Sequence, residues 1–135
     1  MRYTRRYVLQ ACHFNGAAEY AQLADAMRSS SSDKEAALWQ CLRGSHGHNF
    51  KVEVIVEGPI IGDDGYLVDD ELITQTVMAW DNCNLSVHPD FMQRGLRATT
   101  ENMVRLLIEK LRALAPRGEV LVYERPEIMA KECWG

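Results

Sequence analysis

No two of the four cysteines (Cys12, Cys41, Cys83 and Cys133) stand close enough in sequence to make a CxxC pair. That scatter leaves no Cys₄ or Cys₂His₂ zinc pattern and argues against a secreted disulfide framework, so a reducing cytoplasm is the expected setting. Long apolar runs are missing too. No stretch approaches the ~20 residues that would span a bilayer, and the opening MRYTRRYVLQ has neither an apolar core nor a small-residue cleavage site, so it does not read as a signal peptide. Nor is there an excess of basic charge: 15 Lys and Arg against 19 Asp and Glu give a net charge of -4, which implies no nucleic-acid or membrane partner. Arg2, Arg5 and Arg6 form a local basic cluster that an anionic substrate could use. What remains is ordinary globular material, 47% hydrophobic and 25% charged over 135 residues, the size of one domain with no internal repeat or linker.

Residues 3–12 interleave aromatic and β-branched residues with polar ones and read as a strand. A polar excursion over 15–40 follows. It has helical composition at 17–27, a serine run at 29–32, and Ser32 or Asp33 placed to cap a short helix over 34–39. From 49 to 57 the pattern alternates, with Phe50, Val52, Val54 and Val56 on one face and Lys51, Glu53 and Glu57 opposite. After the turn at 62–65, Asp69 or Asp70 can cap a helix to about Trp80. A loop runs from 81 to 97, and Thr99 or Thr100 caps an amphipathic helix whose stripe is Met103, Leu107, Leu111 and Leu114. Pro116-Arg117-Gly118 stops it, and strands over 119–124 and 128–134 end the chain. The order β–β–α–α–β–β predicts an α+β domain: a four-stranded antiparallel sheet with two helices on one face. Its open edges predict a symmetric homo-oligomer.

Four histidines carry the first chemical signal. His46 and His48 flank Gly47 at a strand's start, so both imidazoles point to one face and can clamp zinc. The alternative is a pair of solvent-exposed strand histidines. His13 closes the first strand, and an antiparallel hairpin brings it beside the second. Three imidazoles leave a fourth zinc position open, as in a catalytic site. Cys41, five residues before His46, is either a base or nucleophile beside the metal or a small buried hydrophobe.

These residues stand in a series of motifs. Leu9-Gln10-Ala11-Cys12-His13 resembles the "F-S-A-A-H" strand of the 6-pyruvoyl- and 6-carboxy-tetrahydropterin synthases. Cys41 followed by His46-Gly47-His48-Asn49-Phe50-Lys51-Val52 is similar to that family's "C…HGHNYKV". Gly65-Tyr66-Leu67-Val68-Asp69 resembles "GMVVD", and Asp81-Asn82-Cys83-Asn84-Leu85 stands where the family has "DHxNL". Thr99-Thr100-Glu101-Asn102 matches "TTEN", and Val122-Tyr123-Glu124 the start of "VYET". The six run in order from Leu9 to Glu124.

The resemblance implies the tunnelling-type fold (T-fold), an oligomeric barrel, commonly a hexamer, with active sites between subunits, and zinc on His13, His46 and His48. It implies a pterin substrate, 7,8-dihydroneopterin triphosphate, in the biopterin or queuosine pathway. Glu101 and Glu124 would anchor the ring beside Thr99 and Thr100, and Cys41 with Asp81 and residue 82 would handle protons. Triphosphate elimination or carbon–carbon cleavage with loss of acetaldehyde would follow. The plainer roles are helix-terminus stabilisation for Glu101 and a solvated strand end for Glu124. Arg43 and Lys51 are candidates for the leaving group's charge, with surface solvation as the alternative. The chain departs from the family at Asn82, where an amide that cannot shuttle protons replaces a histidine. His88, six residues on, is either a substitute or a plain loop histidine before Pro89. Arg125 replaces a threonine.

Overall fold

The computed structural model describes residues 1–14, 16–29 and 34–135. Strand β1 (Arg2–His13) pairs antiparallel with β2 (His46–Glu57) in one unbroken register, from Arg2↔Glu57 to His13↔His46. Strands β3 (Arg117–Arg125) and β4 (Ile128–Trp134) complete a sheet of order β1-β2-β3-β4, all antiparallel. The predicted strands are present. β2 begins three residues before the alternating stretch because pairing with β1 carries the chain back to His46, and Gly47 leaves that pairing unobstructed.

One face of the sheet is apolar along its middle. Leu9, Phe50, Val52, Val54, Val56, Val120 and Val122 are all fully buried there. Against them lie α3 (Asp70–Met78) and α5 (Thr100–Leu111), which supply Ile73, Val77, Met103, Leu107 and Leu111 to the same cluster. Each such side chain contributes about 1.5–3 kcal/mol by leaving water. Both helices start where sequence chemistry places them. Asp69 accepts from the backbone N–H groups of Glu71 and Leu72, and Thr99 from that of Asn102. Trp134 lies over Gly118, where a β-carbon would strike its ring, and donates its indole N–H to the Ala115 carbonyl at 3.0 Å.

The excursion between β1 and β2 is a pair of packed helices, α1 (Ala17–Ser29) and α2 (Lys34–Arg43). The proposed cap at Ser32 or Asp33 lies outside the described residues. This pair forms its own small cluster, Tyr20, Leu23 and Cys41 with Met92. It is tied to the segment after α3 by Tyr20 Oη donating to the Leu96 carbonyl at 2.7 Å. The loop after α3 is more ordered than its composition suggested. It contains a 3₁₀ turn at Leu85–Val87 and a four-residue helix, α4 (Pro89–Met92).

The stretch 81–84 docks on the outer edge of β1. Asn82 N–H donates to the Gln10 carbonyl (2.7 Å), Cys12 N–H to the Cys83 carbonyl (3.0 Å), and Gln10 N–H to Asp81 Oδ1 (2.9 Å). One of the two sheet edges is therefore occupied along Gln10–Cys12. Among the described residues, no helix is long and apolar enough to cross a membrane.

Candidate metal centre

The β1–β2 register sets His13 opposite His46 and Ala11 opposite His48. Strand alternation turns all three imidazoles to the helix-bearing face, in line with Leu9 and Phe50. Their ring centroids lie 4.6 Å (His13–His46), 5.1 Å (His13–His48) and 4.9 Å (His46–His48) apart, edge to face. Phe50 forms the floor, 5.5 Å from His13 and 5.4 Å from His48. The last β2–β3 pair is Lys51↔Tyr123, so the next residue, Glu124, reaches the same place from β3. One donor atom from each of His13, His46, His48 and Glu124 lies within 4.8 Å of all the others.

Two details give this cluster the character of a metal site. His13 is 3% exposed and its Nδ1 sits 2.6 Å from the Ala98 carbonyl oxygen. A carbonyl only accepts, so Nδ1–H donates to it and the ring is held with Nε2 turned to the cluster, the orientation that an outer hydrogen bond gives a metal-ligating histidine. The Nε2 atoms of His13 and His48 are buried without a hydrogen-bond partner, although Glu124 Oε1 lies 3.1 and 2.9 Å from them. Burial pushes the His48 pKa below its usual value, and the neighbouring Glu124 carboxylate partly offsets that. Buried nitrogens ordinarily find partners. Three imidazoles and a carboxylate converging on one point fit a divalent ion of the imidazole-binding class.

Helix α5 begins beside this cluster, since Ala98 precedes its capping turn. Thr100 is 6% exposed and donates to Glu101 Oε2 at 3.2 Å. Glu101's own backbone N–H, with the Thr99 and Thr100 hydroxyls, holds its carboxyl below the usual range. Glu101 is thus an ionised carboxylate folded over the helix terminus.

The remaining candidates are dispersed. Cys41 is fully buried among Tyr20, Leu23 and Met92. Burial, with the nearby Cys12 thiol second, pushes its pKa up. Its place in the structure is that of a small hydrophobe. Asp81 and Asn82 belong to the β1-edge turn, where Asn82 has φ +56° and its amide donates to Asp81 Oδ2 at 3.2 Å. A cleft of about 460 Å³ does bring Asn82 and His48 to a common wall, together with Gln10, Asn49 and Asn84. His88 caps α4, accepting the Asp90 N–H on Nδ1 at 3.1 Å, so it takes the plainer of its two roles. Lys51 lies between two fully buried residues, Phe50 and Val52, and therefore points off the opposite face, away from the histidines. Arg43 is exposed at the end of α2.

Sequence reasoning assigned Glu124 to the substrate and missed its approach to the histidines. The signal was available in the alternation Val120, Val122, Glu124, which puts all three on one face.

Comparison with known proteins agrees with this geometry. The architecture matches the solved 6-pyruvoyl tetrahydropterin synthase of Caenorhabditis elegans with a TM-score of 0.65 at 16% identity, over 100% of this chain and 96% of that one. It also matches two Plasmodium enzymes of that name at 17% identity and TM-scores of 0.53, over 99% of this chain and 97% of theirs. One is from P. falciparum and the other is a P. vivax catalytic-residue mutant. At such identities the likeness establishes the T-fold. No curated protein matches the chain by sequence. The family model for 6-pyruvoyl tetrahydropterin synthase matches residues 5–132, nearly the whole chain, and the chain belongs to that family.

Proposed function

We propose that this protein is a zinc-dependent lyase acting on 7,8-dihydroneopterin triphosphate or a closely related pterin. The observation that carries the reading is the pair of buried, unpartnered Nε2 atoms of His13 and His48, one of them fixed by the Ala98 carbonyl. With His46 they would hold zinc, which supplies Lewis-acid polarisation of the substrate's side-chain hydroxyls when bound. Glu101, ionised beside Thr99 and Thr100, and Glu124 offer carboxylates to the amino and amide protons of a pterin ring. The Asp81–Asn82 turn shares the wall of the cleft with His48 and is the part of this chain nearest to a proton-handling role. By family resemblance we infer a hexameric barrel with sites completed between subunits. The free state of all four cysteines supports a reducing cytoplasm.

Two observations favour a second reading, in which the protein binds zinc and a pterin-like ligand without the family reaction. Asn82 cannot shuttle a proton, a loss worth roughly 10²–10⁴ in rate. Cys41, the candidate for the carbon-bound proton, is sealed in an apolar cluster that keeps its thiol protonated.

Anaerobic incubation of the zinc-loaded protein with 7,8-dihydroneopterin triphosphate, read by mass spectrometry, separates the two. Release of triphosphate or acetaldehyde that disappears in Cys41→Ala supports the lyase. Pterin binding without turnover, with activity gained in Asn82→His, supports the second reading. If no variant reacts or binds the pterin, both are wrong.

A further inference from the structure

Glu124 continues the inward alternation of Val120 and Val122 to the point where β3 loses step with β4. β3 and β4 pair at Tyr123↔Met129 and next at Arg125↔Ile128, so two steps along β3 answer one along β4. Glu124 is the extra residue of a β-bulge. It is aimed at the imidazoles. Its side chain is only 15% exposed, and a single oxygen, Oε1, meets His13 Nε2 at 3.1 Å and His48 Nε2 at 2.9 Å.

Both nitrogens are buried and neither makes a hydrogen bond to that oxygen, so the close approach is left without an atom that joins the groups. A positive centre between a carboxylate oxygen and imidazole nitrogens turns such an approach into an attraction. A proton can serve one nitrogen–oxygen pair, but a metal ion serves all three nitrogens and the oxygen together. An ion with tetrahedral bonds of about 2.0–2.1 Å holds its donors about 3.3 Å apart. The two nitrogen–oxygen separations are a few tenths of an ångström shorter and the set as a whole spreads to no more than 4.8 Å, differences that side-chain shifts can close.

We infer that Glu124 is the fourth metal ligand of the substrate-free protein, closing the ion to water and small anions until a ring bearing N–H donors draws the carboxylate away. The inference rests on the metal and pterin reading above and adds an exchange to it. The carboxylate that would recognise the ring is the one that guards the metal, so the position opens only for a ligand able to claim Glu124. A His₃ site without such a guard holds a water in its fourth position at all times.

Cobalt(II) is a suitable probe because its visible bands report ligand number and identity without any turnover. The native protein loaded with cobalt should give a four-coordinate spectrum that azide does not change. Glu124→Ala should bind cobalt roughly ten- to a hundredfold more weakly, a range borrowed from the loss of a ligand's supporting partner, and its spectrum should respond to azide. Adding 7,8-dihydroneopterin, which has no triphosphate to eliminate, should change the native cobalt spectrum as its side-chain hydroxyls take the position that Glu124 leaves. If the native cobalt spectrum responds to azide without pterin, the ligation is overturned, and this arm holds even if the variant misfolds. Pterin binding in that case would leave the lyase reading intact. If native cobalt resists azide and its spectrum is unchanged by bound dihydroneopterin, the fourth ligand stands while the exchange and the ring's claim on Glu124 fall.

Discussion

Two polar regions lie a few residues apart along β1, and they are built in opposite ways. The β1-edge turn is knit together by hydrogen bonds. Asp81 takes the Gln10 N–H and the Asn82 amide, Asn82 N–H goes to Gln10, Asn84 Nδ2 donates to Ser45 Oγ at 2.9 Å, and Asn84 Oδ1 accepts from Ser86 N–H at 3.1 Å. At the histidine cluster two buried nitrogens, His13 Nε2 and His48 Nε2, make no hydrogen bond. A satisfied network such as the turn's holds structure and asks for nothing more. Buried polar atoms left unpaired around one point call for something else to be bound. Family motifs mark both regions equally, and only the hydrogen-bond accounting separates them.

The strongest way to break this contrast is to control the metal. With zinc at a hundredfold excess over its Kd, binding to the folded state alone adds about 2.7 kcal/mol, roughly 10 °C in Tm for a domain of this size. A chelator should remove that increment from the native protein and should change nothing in a His46→Ala/His48→Ala variant. Equal melting curves for native protein with zinc and with chelator would sink the metal assignment.

Substitutions at the turn should behave differently. Asn82 has φ +56°, a region that asparagine and histidine enter far more readily than β-branched residues. Asn82→Val should cost about 1–3 kcal/mol and Asn82→His less than ~1 kcal/mol, by urea denaturation. The backbone at this position is therefore compatible with the family's histidine, and the asparagine changes chemistry rather than shape. Asp81→Ala, which strands the Gln10 N–H at a partly exposed edge, should cost about 1 kcal/mol and leave the cobalt Kd unchanged. A tenfold weakening of cobalt binding there would mean the two regions are coupled.

Much of the site was legible because strand geometry is simple. HxH on a strand puts two side chains on one face, and a hairpin that ends in His13 and restarts at His46 puts the third beside them. The caps at Asp69 and Thr99 were legible for an equally local reason. Cys41 was not. Five residues of sequence separation from His46 say nothing about which side of α2 the thiol occupies, and the helix turns it toward Tyr20, Leu23 and Met92. His88 was open because α4, four residues long, is too short to show a period. The face of Glu124 was legible in the alternation Val120, Val122, Glu124, but its distance from the histidines was not, because that depends on how far β3 runs beyond its last pair with β2.

A smaller effect extends the contrast to a second closed network just beyond the turn. Asp90 Oδ2 accepts from Trp80 Nε1 at 2.8 Å and lies 3.0 Å from Lys110 Nζ, with His88 Nδ1 at 3.7 Å. Burial pushes the Asp90 carboxyl up, but the Trp80 and Lys110 hydrogen bonds and the Lys110 and His88 charges outweigh it, and the pKa falls below its ordinary 3.8. A carboxyl depressed on folding adds stability that is fully present above the unfolded pKa and disappears as pH falls through the folded one. The loss should therefore appear below about pH 4 and be absent at neutrality. Asp90→Asn keeps an acceptor for the indole and removes the titration. Its stability should fall less steeply than the native protein's between pH 4 and lower values, measured by urea denaturation with zinc-free protein so that the histidines' metal does not contribute. Parallel slopes for the two proteins would show that the network around Asp90 is held by packing of Trp80 against Phe91, whose rings lie 5.1 Å apart, and not by the carboxylate.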